Sequence, residues 1–207
     1  MGIQLLGVQK VTIRGTVVAD CTGDGICIGN TGSATSNDIV LCDVVSTGNR
    51  RQALSLVGGD YISVYDSEFS YTSGTAPEDG IDIEPDSHGM SNIIIENCMI
   101  RGNEGCGLQV NVHSGGTVSS LSLTNNLVSY NRWNGVAFQT SNSSSISGGS
   151  IAGNAIYQNG KAGLSLYVGS GGISGFLIGA QAADGTGRTR SRITMCLAIR
   201  SNIQTLL

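Results

Sequence analysis

A small residue followed by an aliphatic–polar–aliphatic triplet recurs along the chain. It appears as Gly25-Ile26-Cys27-Ile28, Ala53-Leu54-Ser55-Leu56, Gly80-Ile81-Asp82-Ile83, Gly107-Leu108-Gln109-Val110, Gly135-Val136-Ala137-Phe138 and Gly163-Leu164-Ser165-Leu166. Alternation with period two is the signature of a strand with one face buried. Counted from Ile26, Leu54, Ile81, Leu108, Val136 and Leu164, the spacings are 28, 27, 27, 28 and 28 residues. A second strand series keeps pace: Val11-Thr12-Ile13, Ile39-Val40-Leu41, Ile62-Ser63-Val64, Ile93-Ile94-Ile95 and Leu121-Ser122-Leu123, with Ile151 marking a degenerate sixth member. Two positions beyond these strands stand Gly15, Asp43, Asp66, Asn97, Asn125 and Gly153. Gly, Asn and Asp tolerate the left-handed backbone that a sharp corner needs.

A third register lies five residues before the anchors, at Cys21, Asn49, Asn103, Asn131 and Asn159. The coil holding Ile81 departs from it, because that coil carries extra residues at its corner. Asparagines stacked at one corner can hydrogen-bond the turns above and below.

A period of this length fits leucine-rich repeats or a β-solenoid. A leucine-rich repeat normally pairs each strand with a helix, and no coil here offers ten or so helix-forming residues on one face. The pattern therefore predicts an all-β fold: a right-handed parallel β-helix of about six coils, three short strands to a coil, with rungs about 4.8 Å apart.

The domain is expected to span residues 1–175, and 176–207 to form an irregular tail, a cap or a truncated segment. Residues 1–10 lead into the first coil without an amphipathic capping helix. Gly29 to Asp38 and Asn111 to Ser120 read as long loops, and Ser141 to Ser150 as a mobile Ser/Gly-rich loop. The insertion Tyr71 to Pro77 comes just before the strand of Ile81, and insertions in repeat proteins tend to gather on the binding face. After about Gly172 the period fades. Asp184, Arg188, Arg190, Arg192 and Arg200 cluster there, and Ile193-Thr194-Met195-Cys196-Leu197 fits no coil.

Composition narrows the picture. The chain has 31 Gly and only 2 Pro among 207 residues, which suits many strands joined by turns. A net charge of -4 argues against a nucleic-acid partner. No apolar run is long enough for a membrane-inserted helix, and no signal peptide is visible. Six cysteines occur without a C-x-x-C pair, so they read as small buried residues and not as zinc ligands.

Chemistry concentrates in Glu78-Asp79-Gly80-Ile81-Asp82-Ile83-Glu84-Pro85, where four carboxylates fall in a chain that is 13% charged. With the isoleucines facing a core, Asp82 and Glu84 are expected side by side on the surface, about 6–7 Å apart along the strand. That separation is compatible with the carboxylate pairs of both retaining and inverting glycosidases, and crowding raises one pKa toward that of a general acid. Asp82, Glu84, Asp79 and Arg51 are the candidate catalytic residues. A lyase instead needs a base and a group that neutralises a uronate carboxylate. Arg50 or Arg51 can neutralise it, alone or with a calcium ion held by Asp79, Asp82 and Glu84, and His88 and His113 are candidate bases. Substrate contacts are expected from Arg50, Gln52, Glu78, Gln109, Asn111, His113, Arg132, Trp133, Gln139 and Tyr167. Amides and acids suit sugar hydroxyls, and exposed rings suit their flat apolar faces. A plainer reading of the arginines and acids on neighbouring coils is a surface salt-bridge ladder, and Trp133 can also pack beneath a loop.

The coil period, Asn49-Arg50-Arg51-Gln52-Ala53-Leu54-Ser55 and Ala76-Pro77-Glu78-Asp79-Gly80-Ile81-Asp82-Ile83-Glu84-Pro85 together resemble right-handed β-helix proteins of the pectate-lyase superfamily. The likeness covers roughly residues 8–170 and is nearest to bacteriophage tailspike depolymerases and bacterial β-helix repeat proteins. Mannuronan epimerases carry Gly-aromatic-Asp-Pro-His on an equivalent strand; Gly80, Ile81 and Asp82 match it loosely, while Ile83 and Glu84 replace Pro and His. The resemblance implies carbohydrate chemistry along an elongated groove, a polysaccharide partner, an extracellular, virion or cell-surface location, and a homotrimer. The expected function is cleavage of an extracellular or capsular polysaccharide, by lyase or hydrolase chemistry. The second reading is a non-catalytic glycan-binding or structural β-helix, such as an adhesin or fibre shaft.

Overall fold

The computed structural model describes residues 1–85, 89–179 and 193–194. His88 and the charged cluster of Asp184, Arg188, Arg190, Arg192 and Arg200, with Cys196, lie outside the described residues. The fold is a parallel β-helix, and every strand pair is parallel. The first sheet stacks Ile3–Leu6, Ile26–Gly29, Leu54–Leu56, Ile81–Ile83, Leu108–Val112, Val136–Thr140, Leu164–Val168 and Ile193–Thr194. The six anchors pair in one unbroken register, Ile26 on Leu54, then Ile81, Leu108, Val136 and Leu164. Ile3 precedes them and Ile193 follows them. The leading residues therefore already contain a strand, and Ile193–Thr194, which fits no coil by pattern, continues the column.

The second sheet is built on Gln9–Ala19, Asn37–Thr47, Gly59–Tyr65, Met90–Glu96, Thr117–Thr124, Ser144–Ala152 and Gly171–Ile178. Gly15, Asp43, Asp66, Asn97, Asn125 and Gly153, at the corner beyond these strands, all have positive φ between 49° and 67°. The corner does not break the first two strands, which run on into a third sheet with Glu68–Ser70, Met99–Arg101, Leu127–Ser129 and Ala155–Tyr157. These strands are three residues long and keep one inward side chain each, too short for alternation to reveal. The stretch expected as a mobile Ser/Gly loop is mostly strand Ser144–Ala152, with Ser144 buried and bonded to the Val112 carbonyl. Serine and glycine fill several of its outward positions, while Gly149 stands at an inward one, paired with the core residue Leu121 and with Phe176.

The core is a set of columns running along the axis. Ile26, Leu54, Ile81, Leu108, Val136 and Leu164 form one; Ile28, Leu56, Ile83, Val110, Phe138 and Leu166 another; Phe69, Ile100, Val128 and Ile156 a third. Each fully buried aliphatic contributes about 1.5–3 kcal/mol over its exposed state. The glycine that precedes most anchors is required by the third sheet's side chains. A Cβ on Gly107 would lie 2.6 Å from Val128 Cγ1, 2.7 Å from Asn131 Nδ2 and 2.7 Å from the Gly135 carbonyl.

The asparagine ladder forms. Asn131 Oδ1 accepts from the Asn103 backbone N–H at 3.2 Å and from Asn103 Nδ2 at 2.8 Å. Its Nδ2 donates to the Ile100 carbonyl and to Asn159 Oδ1. In the irregular coil Thr72 takes the place, its backbone N–H donating to Asn103 Oδ1 at 3.1 Å. A second ladder of Ser67, Asn126 and Asn154 lines the other corner. Asn131→Ala leaves a buried N–H and several polar partners unsatisfied, so the denaturant midpoint should fall by an amount equal to about 1–3 kcal/mol. Cys27, Cys98 and Cys106 are buried and all five described cysteines are free thiols. Among the described residues no helix is long and apolar enough to cross a membrane.

Candidate active site

On the outer face of the first sheet three rows of side chains run along the axis. The middle row is Cys27, Ser55, Asp82, Gln109, Ala137 and Ser165, paired coil to coil. Ahead of the strands runs Arg51, Glu78, Gly105, Trp133 and Lys161. The backbone N–H groups of Gly105, Trp133 and Lys161 donate to the carbonyls one coil back, at 2.9–3.0 Å. Beyond the strands runs Glu84, Asn111, Gln139 and Tyr167.

The middle row points away from the core, yet Cys27, Ser55, Asp82 and Ala137 are buried. It is recessed beneath the flanking rows. This corrects the placement of the acids at the surface. Asp82 and Asp79 are each 1% exposed, whereas Glu84 keeps 31% of its side chain exposed. The alternation predicts direction, not depth: Asp82 does face outward, but Gln52 Nε2 donates to its Oδ2 from the neighbouring coil. Asp79 Oδ1 accepts from the Cys106 backbone N–H at 2.5 Å.

Burial dominates the ionisation of these acids. It pushes the Asp82 carboxyl up to about 8, with the charges of Asp79 and Glu84 adding to the effect. It pushes Asp79 up to about 7, against the opposing hydrogen bond from Cys106. Asp24 joins them, 1% exposed, its carboxyl raised by burial and drawn back by Arg51, whose guanidinium lies 3.4 Å away. Asp24 Oδ1, Gln52 Oε1, Asp79 Oδ2 and Asp82 Oδ1 are buried without a hydrogen-bond partner. Protonation turns two of these four acceptors, on Asp79 and Asp82, into donors. That is how low dielectric and a shortage of cations are accommodated. Pattern reading missed Asp24, although it stands two residues before its anchor as Gln52 and Asp79 do before theirs.

Glu84 is committed elsewhere. Its Oε1 lies 3.0 Å from His113 Nε2 and accepts from Asn111 Nδ2 at 3.3 Å. His113 Nδ1 sits 3.1 Å from Ser114 Oγ. Asp79, Asp82 and Glu84 therefore do not converge as a calcium site. Among the described residues no group of three or more His, Cys, Asp or Glu side chains is arranged to hold a metal ion.

The remaining candidates are scattered along the same face. Arg50 is exposed and donates from Nε to Thr75 Oγ1 at 3.1 Å, and Glu78 Oε1 accepts from the Gly74 backbone N–H at 2.5 Å, so both brace the 71–78 insertion. Gln109 Oε1 is 3.7 Å from Cys106 Sγ. Arg132 forms an exposed ion pair with Glu104 at 2.7 Å. Gln139 is exposed beside Tyr167, itself 51% exposed. Trp133 is 49% exposed and not beneath a loop, with Lys161 Nζ 3.7 Å from its ring centroid. Ion pairs join Arg51 with the buried Asp24, Arg132 with Glu104 and, on the third sheet, Arg101 with Glu68, as separate pairs and not as a surface ladder.

Comparison with known proteins bears on the scaffold. No curated protein sequence matches the chain significantly. The periplasmic alginate epimerase AlgG is similar in structure, with a TM-score of 0.60 at 14% identity over 88% of this chain and 47% of that one. The A-module of the Azotobacter vinelandii mannuronan C-5 epimerase AlgE4 has a TM-score of 0.45 at 19% identity over 85% of this chain and 56% of its own. The chain thus spans about half the length of these structures, and at such identities the likeness is one of fold. The family model described as a right handed beta helix region matches residues 1–176. That match covers all but the last residues of the stacked coils, and the chain belongs to the right-handed β-helix family.

Proposed function

We propose that this face processes an acidic polysaccharide by β-elimination, with His113 as the base and Glu84 as the residue that orients it. The observation that carries the reading is the 3.0 Å contact of His113 Nε2 with Glu84 Oε1 on an exposed rim, beside an Asp82 that is sealed from solvent. With Nε2–H donating to Glu84, Nδ1 holds the lone pair that accepts a proton. The base removes the C5 proton of a uronate, the electron pair forms a C4–C5 double bond, and the C4–O bond breaks. The leaving oxygen takes its proton from water. Arg51 is engaged by Asp24 and stands two coils from His113, on the opposite edge of the sheet. A hydrolase would need two carboxyl groups open to the glycosidic bond, and Asp82 is closed off by Gln52. The structurally similar AlgG is an alginate epimerase, and alginate is a uronate polymer, which favours the same substrate class. We place the protein outside the cytoplasm, where such polymers lie.

The test is a panel of acidic and neutral bacterial polysaccharides, followed at once by reducing ends and by the ultraviolet absorbance of an unsaturated product. Reducing ends with absorbance are the expected result. Reducing ends without absorbance would move the chemistry to hydrolysis. Silence on both, with the fold intact, would favour the glycan-binding or structural reading.

A further inference from the structure

We propose that Trp133 and Lys161 together bind an anionic sugar residue, on the side of the His113–Glu84 pair toward the C-terminal coils. The inference rests on reading the recessed row as a glycan path. It adds a subsite of stated chemistry and a direction along the solenoid.

Three observations carry it. First, Lys161 Nζ stands 3.7 Å from the centroid of the Trp133 ring. Among the described residues no carboxylate pairs with this ammonium group, unlike Arg51, Arg101 and Arg132. A cation held on an aromatic face is partly stripped of water and left with a charge to satisfy. Second, the indole is 49% exposed, so an apolar surface of the kind that stacks on a pyranose ring is open despite the lysine. Third, the floor next to it is small. Ala137 and Ser165 stand in the middle row of these two coils, and Gln139 and Tyr167 rise on the far side. A ring on one wall, a hydrogen-bonding amide and a phenol on the other, and a narrow floor between them make a channel along the axis. A neutral sugar would use the rings and leave Lys161 unpaired; a uronate would use both.

Register supplies the position. Asn111, in the coil of His113, pairs with Gln139 in the coil of Trp133, and Gln139 pairs with Tyr167 in the coil of Lys161. The subsite therefore begins one rung from His113 and ends two rungs from it, about 5–10 Å along the axis. A glycan that crosses the face obliquely, from the edge of His113 to that of Trp133, brings one residue to His113 while another sits at Trp133.

Trp133 is the chain's only tryptophan, so its emission reports the subsite without any turnover. The full chain is titrated with oligouronates and with neutral oligosaccharides of equal length. The expected result is a saturable change in emission that sets in at about tenfold lower concentration with the oligouronates than with the neutral sugars. Lys161→Ala should weaken the response about tenfold and Lys161→Arg should restore it. Both positions are exposed, and circular dichroism checks the fold. Equal responses to charged and neutral sugars, or oligouronate binding that Lys161→Ala leaves unchanged, would overturn the inference. So would no emission change under conditions where polymer is still cleaved, and that outcome would leave the elimination reading standing. A uronate-selective response without cleavage would support the subsite and sink the elimination reading.

Discussion

His113→Ala is expected to lower elimination from an acidic polysaccharide by about 10²–10⁴-fold, the range by which a positioned acid–base group contributes to proton transfer. The size reflects its place in the site. His113 is the one histidine among the described residues, and Asp79 and Asp82 are buried and held near neutrality. Among the described residues no other exposed base on this rim has an orienting partner as close as Glu84 at 3.0 Å. Glu84→Gln should give a smaller loss, because an amide still hydrogen-bonds the imidazole but no longer stabilises it once protonated. The informative readout is the split between kcat and KM: an orienting role lowers kcat with KM little changed, whereas a merely structural role for Glu84 would lower thermal stability along with the rate. Unchanged folding, checked by circular dichroism and thermal unfolding, is expected for both variants, since both side chains are partly exposed. A His113→Ala protein that cleaves at the native rate would remove the histidine from the mechanism.

Stability should fall as pH rises from about 4 to about 8. Asp79 and Asp82 have folded-state pKa values raised to about 7 and about 8 from 3.8. Between those limits the unfolded chain has lost both protons and the folded chain keeps them, so the unfolded state binds fewer protons and unfolding becomes easier with each pH step. A carboxyl group wholly protonated in one state and ionised in the other contributes about 1.4 kcal/mol per pH unit. The stability is intact below the unfolded pKa and is exhausted once pH passes the folded one. Urea midpoints measured across this window test it. Asp82→Asn should flatten the dependence and stabilise the protein at the alkaline end, because the amide keeps the acceptor for Gln52 and places an N–H where the neutral acid carries its O–H. A midpoint that rises with pH over the same range would mean that the buried acids are ionised in the folded protein and have partners other than those described.

The burial that produces this dependence also separates two roles that look alike in the amino-acid string. Asp82 and Glu84 are two residues apart on the same side of a strand. One ends beneath Gln52 and the other against a histidine 29 positions later. Only stacking decides between them.

The same division governs what was legible in the sequence. The period of 27–28 residues, the two longer strand series, the left-handed corners and the asparagine ladder all repeat at constant offsets. Each is a local demand, for an alternating side chain, a positive φ or an amide at a turn, that every coil must meet again. Such demands leave a periodic trace, and the anchors from Ile26 to Leu164 pair as their spacing requires. The third sheet left too short a trace, and Ser144–Ala152 resembled a loop because serine and glycine fill its outward positions and Gly149 replaces an inward aliphatic. The residue types of the candidate site were also visible: a cluster of acids, arginines one coil away, a tryptophan. What only the tertiary structure decided was depth and partnership. Asp24 joins Asp79 and Asp82 in a buried floor, Glu84 turns to His113, and Lys161 comes to rest on Trp133. The physical reason is that solvation and charge pairing depend on what the neighbouring coils place about 4–5 Å away, and those neighbours lie 27–30 residues distant in the chain.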